Sequence, residues 1–160
     1  MTSNALAEDP HRDVIYAAEN QALPSGGRHF SRFTDLEDYV ESVLAGSWWD
    51  REFPAAPLEV QLIRRSRSAT FSAAAVDRTG DEAAIWIRDG SWDAVTVVHE
   101  LAHVASAQPT SSPDPTGPHG QEFATALLLM WREFLGLHAY GALLSGFDDH
   151  GVPYRRERLF

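Results

Sequence analysis

The chain contains no cysteine. That absence excludes disulfides, thiol catalysis, iron–sulfur clusters and every cysteine-based zinc site. Lysine is missing too, since all 13 basic residues are arginine. A GC-rich coding sequence explains that bias, which carries no mechanistic weight. Positive charge is scarce overall: the formal net charge is −10 and the pI is near 5.0. Nucleic acid and anionic membranes are therefore not the expected partners. Long hydrophobic runs are also lacking. The longest strongly apolar stretch, Ala124–Trp131, falls far short of the roughly 18 residues a membrane span requires. Met1–Pro10 is polar and acidic, without the basic start and apolar stretch of a secretion signal. The reading is a soluble cytoplasmic protein with no membrane partner.

What is present suits a globular chain. A length of 160 residues, with 44% hydrophobic and 22% charged residues, fits one domain. Residues 1–9 read as a disordered terminus, 10–154 as the domain and 155–160 as a basic tail. Val14, Ile15, Ala18 and Ala22 share one helical face, and Pro24-Ser25-Gly26-Gly27 breaks that helix. A second helix is predicted from Thr34, capped by Thr34 with Glu37, and stops near Gly46. The aromatic and proline-rich stretch from Trp48 to Pro57 reads as a core-covering connection. Extended segments follow at Leu58–Arg65, Thr70–Asp77 and Ala83–Arg88, with a turn at Arg78-Thr79-Gly80-Asp81. Ser91 is the predicted cap of a helix running to about Ala107. A proline-rich loop covers Gln108–Pro118. A long helix is expected over His119–Leu135 and a shorter one over Leu137–Phe147. The fold class is α+β, with three to four strands.

Seven histidines remain for metal chemistry. Val97-Val98-His99-Glu100-Leu101-Ala102-His103 places an HExxH pattern on a predicted helix. At spacing i, i+4 the two imidazoles stand one above the other and can reach one ion. Glu100 is rotated by about 100° from His99, beside the ion, where it can take a proton from water. His119, across the proline-rich loop, is the expected third ligand. At a helix start the dipole would favour its neutral, metal-binding form. Glu122 and Asp114 are its rivals. Three protein ligands with an open fourth position describe a catalytic zinc site. His11 and His29 read as surface residues.

The strand, the helix with HELAH (99–103) and the following HGxxF (His119, Gly120, Phe123) resemble the zincin arrangement of SprT-like metallopeptidases. The resemblance extends to a family of small actinobacterial metallohydrolases, through Arg12–Glu19 and Phe147–Val152. It implies a minimal zincin-like fold, one Zn2+ ion on His99, His103 and His119, and Glu100 as general base. It also implies that a strand like Ala83–Arg88 borders the cleft and pairs with an extended peptide or protein substrate. The chain lacks the cysteine-based zinc ribbon of many SprT-like proteins, and its acidity weakens a DNA-linked protease role. It is not a metzincin, because Ser106 stands where that pattern needs Gly and no His occupies position 109.

The chemistry implied is hydrolysis of a carbonyl compound, with Glu100 moving the proton from water to the leaving group. Tyr140, Tyr154, His138, His150 and Arg132 are candidates for holding the oxyanion. Two further readings stand beside the zinc peptidase. One is a repressor-cleaving peptidase of ImmA/IrrE type, with Glu122 as third ligand. The other is a non-catalytic, metal-stabilised binding module. The clusters Arg64-Arg65-Ser66-Arg67 and Arg155-Arg156-Arg158 read as solvated surface or as partners of acidic groups.

Overall fold

The computed structural model describes residues 9–57, 59–69, 71–77, 79–107 and 117–160. Leu58, Thr70, Arg78, Asp114 and most of the proline-rich loop lie outside the described residues. Along the chain run α1 (Arg12–Ala22), α2 (Phe33–Leu44), α3 (Ser47–Glu52), β1 (Glu59–Arg65), β2 (Ala73–Val76), β3 (Glu82–Arg88), α4 (Ala94–Ser106), α5 (Gln121–Met130) and α6 (Leu137–His150). The fold is α+β.

The sheet order is β1-β3-β2. β3 pairs in parallel with β1, Leu62 opposite Ile85, and antiparallel with β2, Ala75 opposite Ala84. Ala83, Ile85 and Ile87 are buried while their neighbours are not, as period two demands of a strand covered on one face. This topology corrects one expectation: β3 (Ala83–Arg88) is the central strand, with both edges already paired, so it has no edge to offer a peptide. β2 and β1 are the edges. β2 also lies against α4, the helix that carries HExxH.

Helices supply most of the core. Every residue from Phe123 to Met130 is buried, so α5 is apolar all round and sits among α4, α6 and the turn that follows it. The expected long helix thus ends in a π-helical turn, Trp131–Leu135, halted by Gly136 at φ 95°. α6 runs past Phe147 to His150 and ends on Gly151 in the left-handed region, the usual glycine terminator.

Several helix starts differ from expectation. Asp93, not Ser91, caps α4, its carboxylate accepting the Thr96 N–H at 2.9 Å. The helix begins at Ala94, so Asp93 rather than Ser91 occupies the cap position. α2 has no side-chain cap from Thr34. It begins at Phe33, and Arg32 forks onto Asp35 at 2.8 and 3.2 Å. The aromatic connection contains α3, with Trp49 and Phe53 buried.

Both ends of the described chain are fastened. The backbone N–H of His119 donates to Asp9, although that residue fell in the segment expected to be disordered. At the other end Leu159 is buried, Arg132 donates to its carbonyl at 2.8 Å and Arg158 donates to the Glu52 carbonyl at 3.0 Å. Among the described residues no helix is long and apolar enough to cross a membrane.

Candidate metal centre

α4 presents His99 and His103 one turn apart, and His119 arrives just before α5, two residues ahead of its first helical position. The three side chains form one cluster, with a ring nitrogen from each lying within 4.8 Å of the others. His99 Nε2 and His119 Nε2 are 3.2 Å apart. Phe123 holds the rings in place: it stacks on His103 at 4.3 Å and meets His99 and His119 at 5.0 and 4.8 Å. The HGxxF spacing therefore has a local cause, because it puts a fully buried ring beneath all three imidazoles.

The outer nitrogens are also engaged. His99 Nδ1 is 2.9 Å from Glu19 Oε2, and His119 Nδ1 is 2.7 Å from Asp9 Oδ2. An ionised carboxylate only accepts, so each Nδ1 donates, and in the neutral form of each ring Nε2 then carries a bare lone pair. Two lone pairs at 3.2 Å in a buried site repel unless a cation lies between them. With metal–nitrogen bonds of about 2.0–2.1 Å, ligands on a tetrahedral ion stand about 3.3 Å apart. The donor set therefore fits a divalent ion, and it contains no thiolate or hard oxygen cage. This buried histidine triad could hold a metal ion.

Electrostatics treat the three rings differently. Burial pushes His103 well below its ordinary pKa, and the charges of His99 and His119 push it further. Burial lowers His119 too, against the opposing pull of Asp9. Burial is thus the main force that lowers His119, which sits just ahead of the α5 N-terminus. For His99 burial also acts downward, but the carboxylates of Glu19 and Glu100 outweigh it and raise the pKa. Glu100 is buried with Oε2 unpartnered. Desolvation pushes its carboxyl up to about 7, opposed by His99 and reinforced by Glu19. A carboxyl near 7 can both accept and return a proton at neutral pH.

Glu122 lies outside the imidazole cluster and pairs with Arg155. The oxyanion candidates have other partners, are buried or are exposed. Tyr154 donates to Asp148, Arg132 to the Leu159 carbonyl, and Tyr140 is buried beneath the Arg132 guanidinium. His138 and His150 are exposed on α6. The sequence reading missed Glu19, Asp9 and Tyr16. Tyr16 stacks on His99 with centroids 4.6 Å apart, and burial followed by the Glu100 charge pushes its phenol up to about 12. Glu19 left a legible trace, as a carboxylate on the buried stripe of α1 beside Ile15 and Ala18. Asp9, in a polar stretch, left none.

Compared with protein-family models, curated proteins and solved structures, the chain matches none.

Proposed function

We propose that the protein is a zinc-dependent hydrolase acting on peptides, with zinc on His99, His103 and His119 and Glu100 as general base. The observation that carries this reading is the convergence of three imidazoles beside one buried carboxylate whose Oε2 has no partner. Neutral imidazoles in a three-ligand set suit zinc and leave a coordination position for substrate chemistry. Zinc, when bound, supplies a Lewis acid that acidifies water and polarises a carbonyl.

The residues divide the remaining work. Glu19 and Asp9 fix the tautomers of His99 and His119, so that Nε2 faces the ion. Glu100 takes a proton from the attacking water and passes it to the departing amine. Apolar packing around the rings lowers the local dielectric and strengthens these interactions. Among the described residues nothing pairs with the outer edge of β2, the sheet edge nearest α4, and an extended peptide can hydrogen-bond there.

The test is a comparison of wild type with Glu100→Gln, each loaded with one equivalent of zinc and challenged with a panel of unfolded proteins and peptides. Glu100→Gln should retain zinc while hydrolysis falls by about 100- to 10,000-fold. A wild type that binds zinc but cleaves nothing in the panel would instead support the metal-stabilised binding module.

A further inference from the structure

Arg64, Arg155, Arg156 and Arg158 meet the carboxylates of Asp89, Glu122, Asp148 and Glu52. Arg12 and Arg65 are held differently, by one shared aromatic ring. Arg12 lies over Tyr16 at 5.5 Å and over Phe71 at 6.0 Å. Its carboxylate contact, Asp13 at 3.5 Å, has a side chain that is 95% exposed, so water screens most of that pairing. Arg65 lies over Phe71 at 5.5 Å and donates one N–H to the Phe71 carbonyl at 3.2 Å. Among the described residues Arg65 makes no ion pair. An aromatic face orients a guanidinium without cancelling its charge, and most of its five N–H groups stay free.

Their location gives this arrangement a use. Arg12 is one helical turn before Tyr16, which stacks on His99, and its charge is felt by both His99 and His119. Phe71 leads into the edge strand β2 and is 50% exposed, one of few large apolar side chains left in water. Two oriented cations therefore share an apolar ring where the chain leads into the edge strand β2, and Tyr16 links one of them, Arg12, to the imidazole cluster, in a chain of net charge −10.

We infer that Arg12, Arg65 and Phe71 form a subsite for a carboxylate-bearing residue of an extended peptide, a proposal that rests on the peptidase reading. The guanidiniums grip the carboxylate through charge-assisted hydrogen bonds. Phe71 covers the methylene stem behind it. A nucleic acid is a poorer match, because the acidic surface repels a run of phosphates.

Binding is measured by fluorescence anisotropy, using zinc-loaded Glu100→Gln protein and fluorescein-labelled decapeptides. One peptide carries an internal Glu and an amidated end, a second carries Gln there with the amidated end, and a third carries Gln with a free terminal carboxylate. A ten-nucleotide single-stranded DNA serves as the fourth probe. At least one carboxylate peptide should bind about tenfold more tightly than the neutral one, and which of the two does so tells a side chain from a terminus. The double change Arg12→Gln, Arg65→Gln should erase that preference with zinc content unchanged. Should the double variant not fold, Phe71→Glu, which sets a negative charge between the guanidiniums, must erase it alone. Equal binding of all peptides, an undiminished preference in these variants, or tighter binding of the DNA would overturn the proposal. A preference for carboxylate peptides, with none of them cleaved by zinc-loaded wild type, would keep the subsite and sink the hydrolase. Cleavage of acidic and neutral peptides at equal kcat/KM would keep the hydrolase and sink the subsite.

Discussion

Glu19 and His99 are 80 residues apart in sequence, yet their side chains meet at 2.9 Å with both almost wholly shielded from water. The carboxylate of α1 thereby dictates which nitrogen of the α4 imidazole carries hydrogen. Replacing Glu19 by Ala should weaken zinc binding by about 10- to 100-fold, the usual cost of losing a partner behind a ligand. Glu19→Gln, which keeps an acceptor without the charge, should cost less. Chelator competition would measure both, and unchanged affinity in Glu19→Ala would remove this residue from the site.

Asp9 plays the corresponding part for His119 at 2.7 Å, but its side chain is more exposed. Water can replace part of what it gives. Asp9→Ala should therefore lower zinc affinity by less than Glu19→Ala does, about tenfold at most. Isothermal titration would rank the two, and a larger loss at Asp9 would contradict the difference in burial.

Glu100 makes the metal-free protein sensitive to pH. Its folded pKa, about 7, lies above the ordinary value of 4.5. The folded state therefore binds more protons than the unfolded state between those values, and this contribution to stability falls as pH rises through that window. Gln carries no such charge. Urea denaturation of the metal-free proteins should show Glu100→Gln gaining stability over wild type as pH rises from 5 to 8. The gain should reach at most about 3 kcal/mol, since each pKa unit is worth about 1.4 kcal/mol. A gain that is the same at both pH values would refute the burial argument.

Gly146 is where α6 lets α1 come close. A Cβ at that position would stand 3.3 Å from the Ala18 Cβ, one residue from Glu19. Gly146→Val should overfill this contact and cost about 1–3 kcal/mol. Because α1 carries Glu19 and Tyr16, zinc affinity should fall as well. Thermal melts of the metal-free variant and chelator competition on the loaded one would test the two effects. A destabilised variant with wild-type zinc affinity would show that α1 shifts without disturbing the imidazoles.

Much of this was legible in the chain itself. Ala83–Arg88 alternates cleanly, and its buried residues follow that alternation. The i, i+4 spacing then forces His99 and His103 together, and the three imidazoles do meet. What stayed hidden depends on contacts between distant segments. Nothing local in the β3 segment says that it is flanked on both sides, because strand order is decided by the connections around it. Nor does a polar N-terminal stretch announce that Asp9 reaches a residue 110 positions away. Helix starts failed for a smaller reason: Ser91 and Asp93 are both good caps, and the choice turns on where the β3 strand releases the chain.

The distance between Asp9 and His119 also constrains how the molecule is made. A ribosome delivers Asp9 and α1 first, whereas His119 emerges only after the whole sheet and α4. Contacts of such long sequence separation form late, because the intervening chain must be ordered before they repay the entropy of closure. A nascent chain stopped before His119 has HExxH on α4 but lacks its third imidazole. Assembly of the complete triad is thus tied to the closing stages of synthesis, and a product truncated before His119 lacks one of the three imidazoles that could hold an ion.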